Sequence, residues 1–170
     1  MSWFDRRAIL APALFALSAC SVQPLYGTSP AGVAVSSALS AILVDPVDTE
    51  VAQELRNRLL FDIAGGSRAT AAPLYKLDLT VDSSEIALGV TPVQTSPAYS
   101  VTVTATYVVT RINTGEIVYR ATTRQSASYD RVNQAFANER AKADAESRAA
   151  SLAADDIHLG LSAAAATGRI

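Results

Sequence analysis

The chain has one cysteine and one histidine among its 170 residues, and each scarcity excludes a class of chemistry. One cysteine cannot form a disulfide within the chain, so the domain must be held by its core and the thiol needs another use. The single histidine, His158, has no cysteine or second histidine to complete a zinc set. No serine lies in a Gly-x-Ser-x-Gly setting, and Gly65-Gly66 lacks the lysine of a phosphate-binding loop. Asp155 and Asp156 are adjacent on a helical segment and so do not face a common point. No catalytic residue, metal ligand or cofactor site is assigned, and the chain is read as a non-enzyme. A basic surplus is also missing: 14 Lys and Arg stand against 16 Asp and Glu, which disfavours nucleic acid as a partner. What is present suffices for one domain, because 49% hydrophobic and 18% charged residues can build a core at this length.

The cysteine lies at position 20, behind a short start carrying Arg6 and Arg7 and an apolar run from Ala8 to Leu17. This is the layout of an export signal. The run is half of the roughly 20 residues that a membrane-spanning helix needs. Leu17-Ser18-Ala19-Cys20 resembles the bacterial lipobox, in which the thiol receives diacylglycerol before cleavage. Residues 1–19 are therefore expected to be a lipoprotein signal peptide and Cys20 the lipidated residue. One acyl chain binds a membrane only marginally, whereas several hold firmly, since each buried methylene contributes about 0.8 kcal/mol. Ser21 stands where an Asp would retain an enteric lipoprotein in the inner membrane, so the expected location is the outer membrane, lipid-anchored on its periplasmic side. Without residues 1–19 the chain keeps 12 basic and 15 acidic side chains.

Residues 20–41 are small, polar and interrupted by Gly and Pro, as in an acylated tether, and little regular structure is expected there. A single α+β domain is expected over 42–170. Ala41 to Val44 reads as a first strand. Val51, Leu55, Leu59 and Ile63 are four apart, with Asp48 or Thr49 as N-cap and Gly65-Gly66 as stop, and predict a helix. From Leu74 the period drops to two, with Tyr75, Leu77, Leu79 and Val81 on one side. The apolar set then moves to Ile86, Leu88 and Val90, which predicts a bulge or break near Ser83. The linker 91–100 precedes the clearest strand, where Val101, Val103, Ala105, Tyr107 and Val109 alternate with Thr102, Thr104, Thr106 and Thr110. Ile117, Tyr119, Ala121 and Ala127 share a parity in the next strand. Cross-strand partners must point to the same side, so a three-residue loop pairing Val109 with Tyr119 and Tyr107 with Ala121 is preferred, with Gly115 left-handed. From Asn133 to Leu161, Phe136, Ala143, Ala150, Ala154, Ile157 and Leu161 recur at helical spacing. The order β-α-β-β-β-α predicts a four-stranded sheet with two helices packed on one face.

Arg120 and Arg124 flank Thr122 on the polar side of the fourth strand, where two guanidinium groups could meet phosphate or carboxylate. The alternative is a solvated sheet face. Residues 77–110 contain no Lys or Arg, so the linker after the second strand is no phosphate clamp.

The residues after the lipobox, Cys20-Ser21-Val22-Gln23-Pro24-Leu25-Tyr26-Gly27, resemble the C-G-F-x-P-L-Y-G start of the LptE family. Ser21 and Val22 depart from that pattern and the following five residues fit it. The resemblance implies a non-enzymatic lipopolysaccharide-assembly lipoprotein that plugs the LptD β-barrel, with lipopolysaccharide itself as a further partner and no cofactor. Arg120 and Arg124 are candidates for contact with lipopolysaccharide or the partner by chemistry alone. An auxiliary lipoprotein of a lipid-transporting ABC system would share the signal, size and α/β composition. A lipid-anchored hydrolase would need a base and a nucleophile that the sequence does not supply.

Overall fold

The computed structural model describes residues 30–64, 72–88 and 98–170. The signal segment, Cys20, the Gln23 to Gly27 motif, Gly65-Gly66 and most of the 91–100 linker lie outside the described residues. In chain order the elements are α1 (Pro30–Ser40), β1 (Ile42–Val44), α2 (Glu50–Ala64), β2 (Tyr75–Leu88), β3 (Ala98–Arg111), β4 (Ile117–Asp130) and α3 (Ala135–Ala166). The four strands form one mixed sheet in the order β1-β2-β3-β4, with β1 parallel to β2 and the others antiparallel. The fold is α+β with three helices packed against the sheet, one more than the sequence pattern predicts.

The additional helix is α1, which replaces the irregular tether expected up to residue 41. Its small residues carry little hydrophobic contrast, yet Val35 and Leu39 are one turn apart and both buried in the common core. The second helix obeys its pattern: Leu55, Leu59 and Ile63 are buried, and Thr49 Oγ1 accepts the Ala52 N–H at 3.3 Å, so Thr49 is the capping residue. Arg56 then ties α2 to the end of β1 through the carbonyls of Val44 (3.1 Å) and Asp45 (2.8 Å).

The core faces one side of the sheet. Val101, Val103, Ala105, Tyr107 and Val109 of β3 are buried in a single cluster with Leu77, the inner residues of α1 and α2, and an alanine-rich seam of α3. That seam runs Ala145, Ala149, Ala153, Ile157, Leu161. Each four-residue step turns an α-helix by about 40°, so the contact line winds around α3. Phe136 and Ala143 were expected on this seam and are exposed instead, Phe136 by 80%. The helix also continues past Leu161 to Ala166 and closes with Gly168 at φ 70°, whose successor Arg169 donates its N–H to Ala164 O at 3.0 Å.

Two strand expectations are corrected. No bulge occurs near Ser83: β2 and β3 pair without a shift from Tyr75 with Arg111 to Leu88 with Ala98. The inner positions beyond Val81 become polar, and Ser83 and Glu85 reach Glu146 and Lys142 of α3. Ile86 and Leu88 stay on the outer side, 59% and 42% exposed. In the β3–β4 hairpin, Val109 pairs with Tyr119 and Tyr107 with Ala121 as the parity rule requires. The route differs, because Arg111 N–H donates to Glu116 O at 2.8 Å. Four residues, 112–115, therefore form the loop, and a register shift between Val109 and Thr110 restores the pairing. Gly115 has φ 70°, the left-handed position that disfavours a side chain.

Candidate partner-binding face

The three long strands present their second face to solvent, and its side chains fall into rows across the sheet. Thr80, Thr106 and Thr122 are in register, and the Thr106 and Thr122 hydroxyls lie 3.0 Å apart. Ser84, Thr102 and Ser126 form another row, with Thr102 and Ser126 hydroxyls at 2.9 Å. Between these lies Asp82, Thr104 and Arg124, where Arg124 Nε donates to Thr104 Oγ1 at 3.4 Å. On the other side of the threonine row stand Asp78, Val108 and Arg120. Lys76 Nζ bridges Asp78 at 2.8 Å and Asp45 at 3.1 Å. The acids thus line the β2 side and the arginines the β4 side, with Thr104 and Val108 between. Exposed apolar residues bound this polar field at both ends, Leu43 and Ile117 at one and Ile86 and Leu88 at the other. A cleft of about 370 Å³ lined by Leu74, Tyr75, Arg111 and Ile112 opens at the hairpin end.

Arg120 and Arg124 stand on this face as their parity predicts, both exposed, and no carboxylate among the described residues forms an ion pair with either. The structure does not gather them into one pocket, because Thr122 separates them on the strand. Asp78 and Asp82 were missed. Their place opposite the arginines depends on the β2–β3 register, which the linker length alone does not determine.

The inner face has its own polar contacts, and these hold the fold. Glu85 accepts a hydrogen bond from the Tyr129 hydroxyl and pairs with Lys142 Nζ at 3.2 Å, linking β2, β4 and α3. That hydrogen bond, with the lysine, holds the Glu85 carboxyl below its ordinary 4.5. Burial, and then Glu85 itself, pushes the Tyr129 phenol up to about 12. Tyr129 stacks on Tyr99 at 5.7 Å, and the Arg131 guanidinium lies 4.9 Å from the Tyr99 ring. Further along, a Cβ at Gly160 would stand 2.5 Å from Tyr107 Oη, so the glycine lets a buried tyrosine tuck beneath α3. Asp155 pairs with Arg58 of α2 at 3.1 Å, and Asp156 accepts from Thr123. These two acids serve packing between elements. His158 lies eight residues before the end of α3, and its carbonyl accepts the Ser162 hydroxyl at 2.8 Å. Among the described residues no three His, Cys, Asp or Glu side chains are grouped to hold a metal ion. No helix among them is long and apolar enough to cross a membrane.

Comparison with known proteins supplies the context for this face. The family model LptE, lipopolysaccharide-assembly, matches residues 33–161. The chain belongs to the LptE family. Membership gives it a role in lipopolysaccharide assembly. The fold is similar to a putative lipoprotein from Caulobacter crescentus CB15, at 25% identity and a TM-score of 0.65, covering 79% of this chain and 97% of that one. It is also similar to a minor lipoprotein from Acinetobacter baumannii (17% identity, TM-score 0.53, 72% of this chain and 88% of that one). Rare lipoprotein B from Shewanella oneidensis matches at 17% identity and a TM-score of 0.54, over 72% of this chain and 92% of that one. No curated protein sequence matches the chain. In this LptE-family chain the matched region runs from α1 through most of α3 and contains the whole outer sheet face.

Proposed function

We propose that this LptE-family protein is cleaved before Cys20, acylated there, anchored on the periplasmic side of the outer membrane, and assembled as a plug within the LptD β-barrel for delivery of lipopolysaccharide to the outer leaflet. The observation that carries this reading is the outer face of β2, β3 and β4: three 14-residue strands that present hydroxyls and both signs of charge and are covered by no helix among the described residues. A barrel lumen is polar and lined by strands, so a face of this character is suited to it. Arg120 and Arg124, the exposed cations of that face, are assigned to contact with the barrel or with lipopolysaccharide. The protein acts by binding and shaping its partner, with no catalytic step.

The test is a pull-down of the tagged, lipidated chain from detergent-solubilised membranes. A large β-barrel should be recovered with it. Recovery of an inner-membrane ABC transporter in place of a barrel would make the protein an auxiliary lipoprotein of lipid transport and overturn the plug reading.

A further inference from the structure

We propose that the outer sheet face is keyed by charge and admits its barrel partner in one orientation only, with a basic stretch of the barrel wall over Asp78 and Asp82 and an acidic stretch over Arg120 and Arg124. This rests on the reading of the chain as a barrel plug and adds to it which face meets the wall and which way round.

The key is built by the strand register. Asp78, Val108 and Arg120 share one row, and Asp82, Thr104 and Arg124 share another. In both rows the acid is on β2 and the base on β4, two strand spacings or about 10 Å apart. Within the chain neither row closes on itself: Asp78 is held by Lys76, and Arg124 donates to Thr104. The rows are four residues apart along each strand, about 13 Å, and the row between them is neutral, with the Thr106 and Thr122 hydroxyls bonded to each other. Asp45, Asp78 and Asp82 outnumber Lys76 on the β2 side. On the β4 side Asp130 lies at the far end of the strand, six residues beyond Arg124.

This pattern selects among occupants. An anionic lipid surface would be attracted at one edge and repelled at the other. Acyl chains would leave Asp82, Arg120 and Arg124 without solvent or an ion-pair partner, at a cost of several kcal/mol per ion. A polar β-wall can answer both signs, and its strands repeat at the same spacing as those of the face. A second copy of this chain would also answer both signs, because a two-fold axis along the strands lays the acidic side of one copy on the basic side of the other. The two protein occupants separate under one set of substitutions. Exchanging acids and bases on this chain reverses its polarity toward a barrel but leaves it complementary to an equally exchanged copy.

The full chain is co-expressed with its barrel and purified in detergent through a tag on the lipoprotein, and the barrel recovered per lipoprotein is measured. The fourfold exchange Asp78→Arg, Asp82→Arg, Arg120→Asp, Arg124→Asp keeps composition and net charge. It should recover less barrel by about tenfold with an unchanged melting temperature, since like charges are then juxtaposed at the interface. Equal recovery would overturn the charge key while leaving the plug reading intact. No barrel recovered with the unsubstituted chain would instead overturn the plug reading and the key with it. Should the fourfold exchange fail to fold, the single-row exchange Asp82→Arg, Arg124→Asp decides, because neither side chain forms an ion pair within the described residues. A loss of about threefold supports the key, and equal recovery overturns it. The mass of the chain alone tests the other occupant. A dimer that survives the fourfold exchange but is lost in Asp78→Arg, Asp82→Arg would assign the face to a second copy and overturn the proposal.

Discussion

The two faces of β3 come from the same fourteen residues and differ in what they do. On the inner side Val101, Val103, Ala105, Tyr107 and Val109 are at most 4% exposed and lie in one core with residues of all three helices. On the outer side Thr102, Thr104 and Thr106 sit in hydroxyl and guanidinium rows that nothing else in the described chain covers. Both side-chain sets suit a strand, since valine and threonine are β-branched, so strand propensity alone does not distinguish them. The methyl-to-hydroxyl difference does, because a buried unpaired hydroxyl costs roughly 1–3 kcal/mol whereas an exposed one costs nothing. Stability is concentrated on one face, and the other is left uncovered by the rest of the described chain.

Substitutions on the two faces sharpen or break that division. Leu77 is fully buried, and Leu77→Ala should destabilise by about 2–5 kcal/mol in denaturant melts. A loss below about 1 kcal/mol would mean that the inner face is not the core. At the hairpin, which joins the two faces' strands, Gly115→Val should cost more than about 1 kcal/mol because φ is positive there, and Thr114→Val much less. Equal effects would remove the left-handed glycine from the account. The polar latch at the inner end responds to pH. Glu85 is held below its ordinary 4.5, so its contribution is present above that value and is lost as pH falls through the depressed folded value. Wild type should melt above Glu85→Gln at pH 7, and the gap between the two curves should narrow progressively as pH falls below 4.5. A constant gap between them down to pH 3 would show that the carboxylate does not stabilise the fold. The smallest effect belongs to the outer face, where Thr106→Val should change stability by no more than about 0.5 kcal/mol. A large loss there would blur the division between the faces.

Much of the fold was legible because parity and helical spacing report burial directly. The alternation in β3, the four-residue spacing in α2 and the pairing of Val109 with Tyr119 follow from which side must be apolar. The errors have physical causes. Among the described side chains of α1, Val35 and Leu39 form the buried pair in a segment of small residues, so the helix has the composition of a tether. Ile86 and Leu88 suggest a change of face near Ser83 only if large apolar residues must be buried; they keep the parity of the outer face, which no described helix covers, and remain exposed. Of the candidate face, Arg120 and Arg124 could be placed by parity within one strand. Asp78 and Asp82 could be placed opposite them only through the long-range pairing of β2 with β3, across a linker whose length does not dictate register.

Under the proposed function, this chain is required for its partner barrel to be built and to deliver lipopolysaccharide. Depleting the protein and following the folded barrel by heat-modifiable gel mobility, together with lipopolysaccharide at the cell surface, tests it most directly. Both should fall as the protein is lost. Unchanged folded barrel and unchanged surface lipopolysaccharide after full depletion would contradict that requirement.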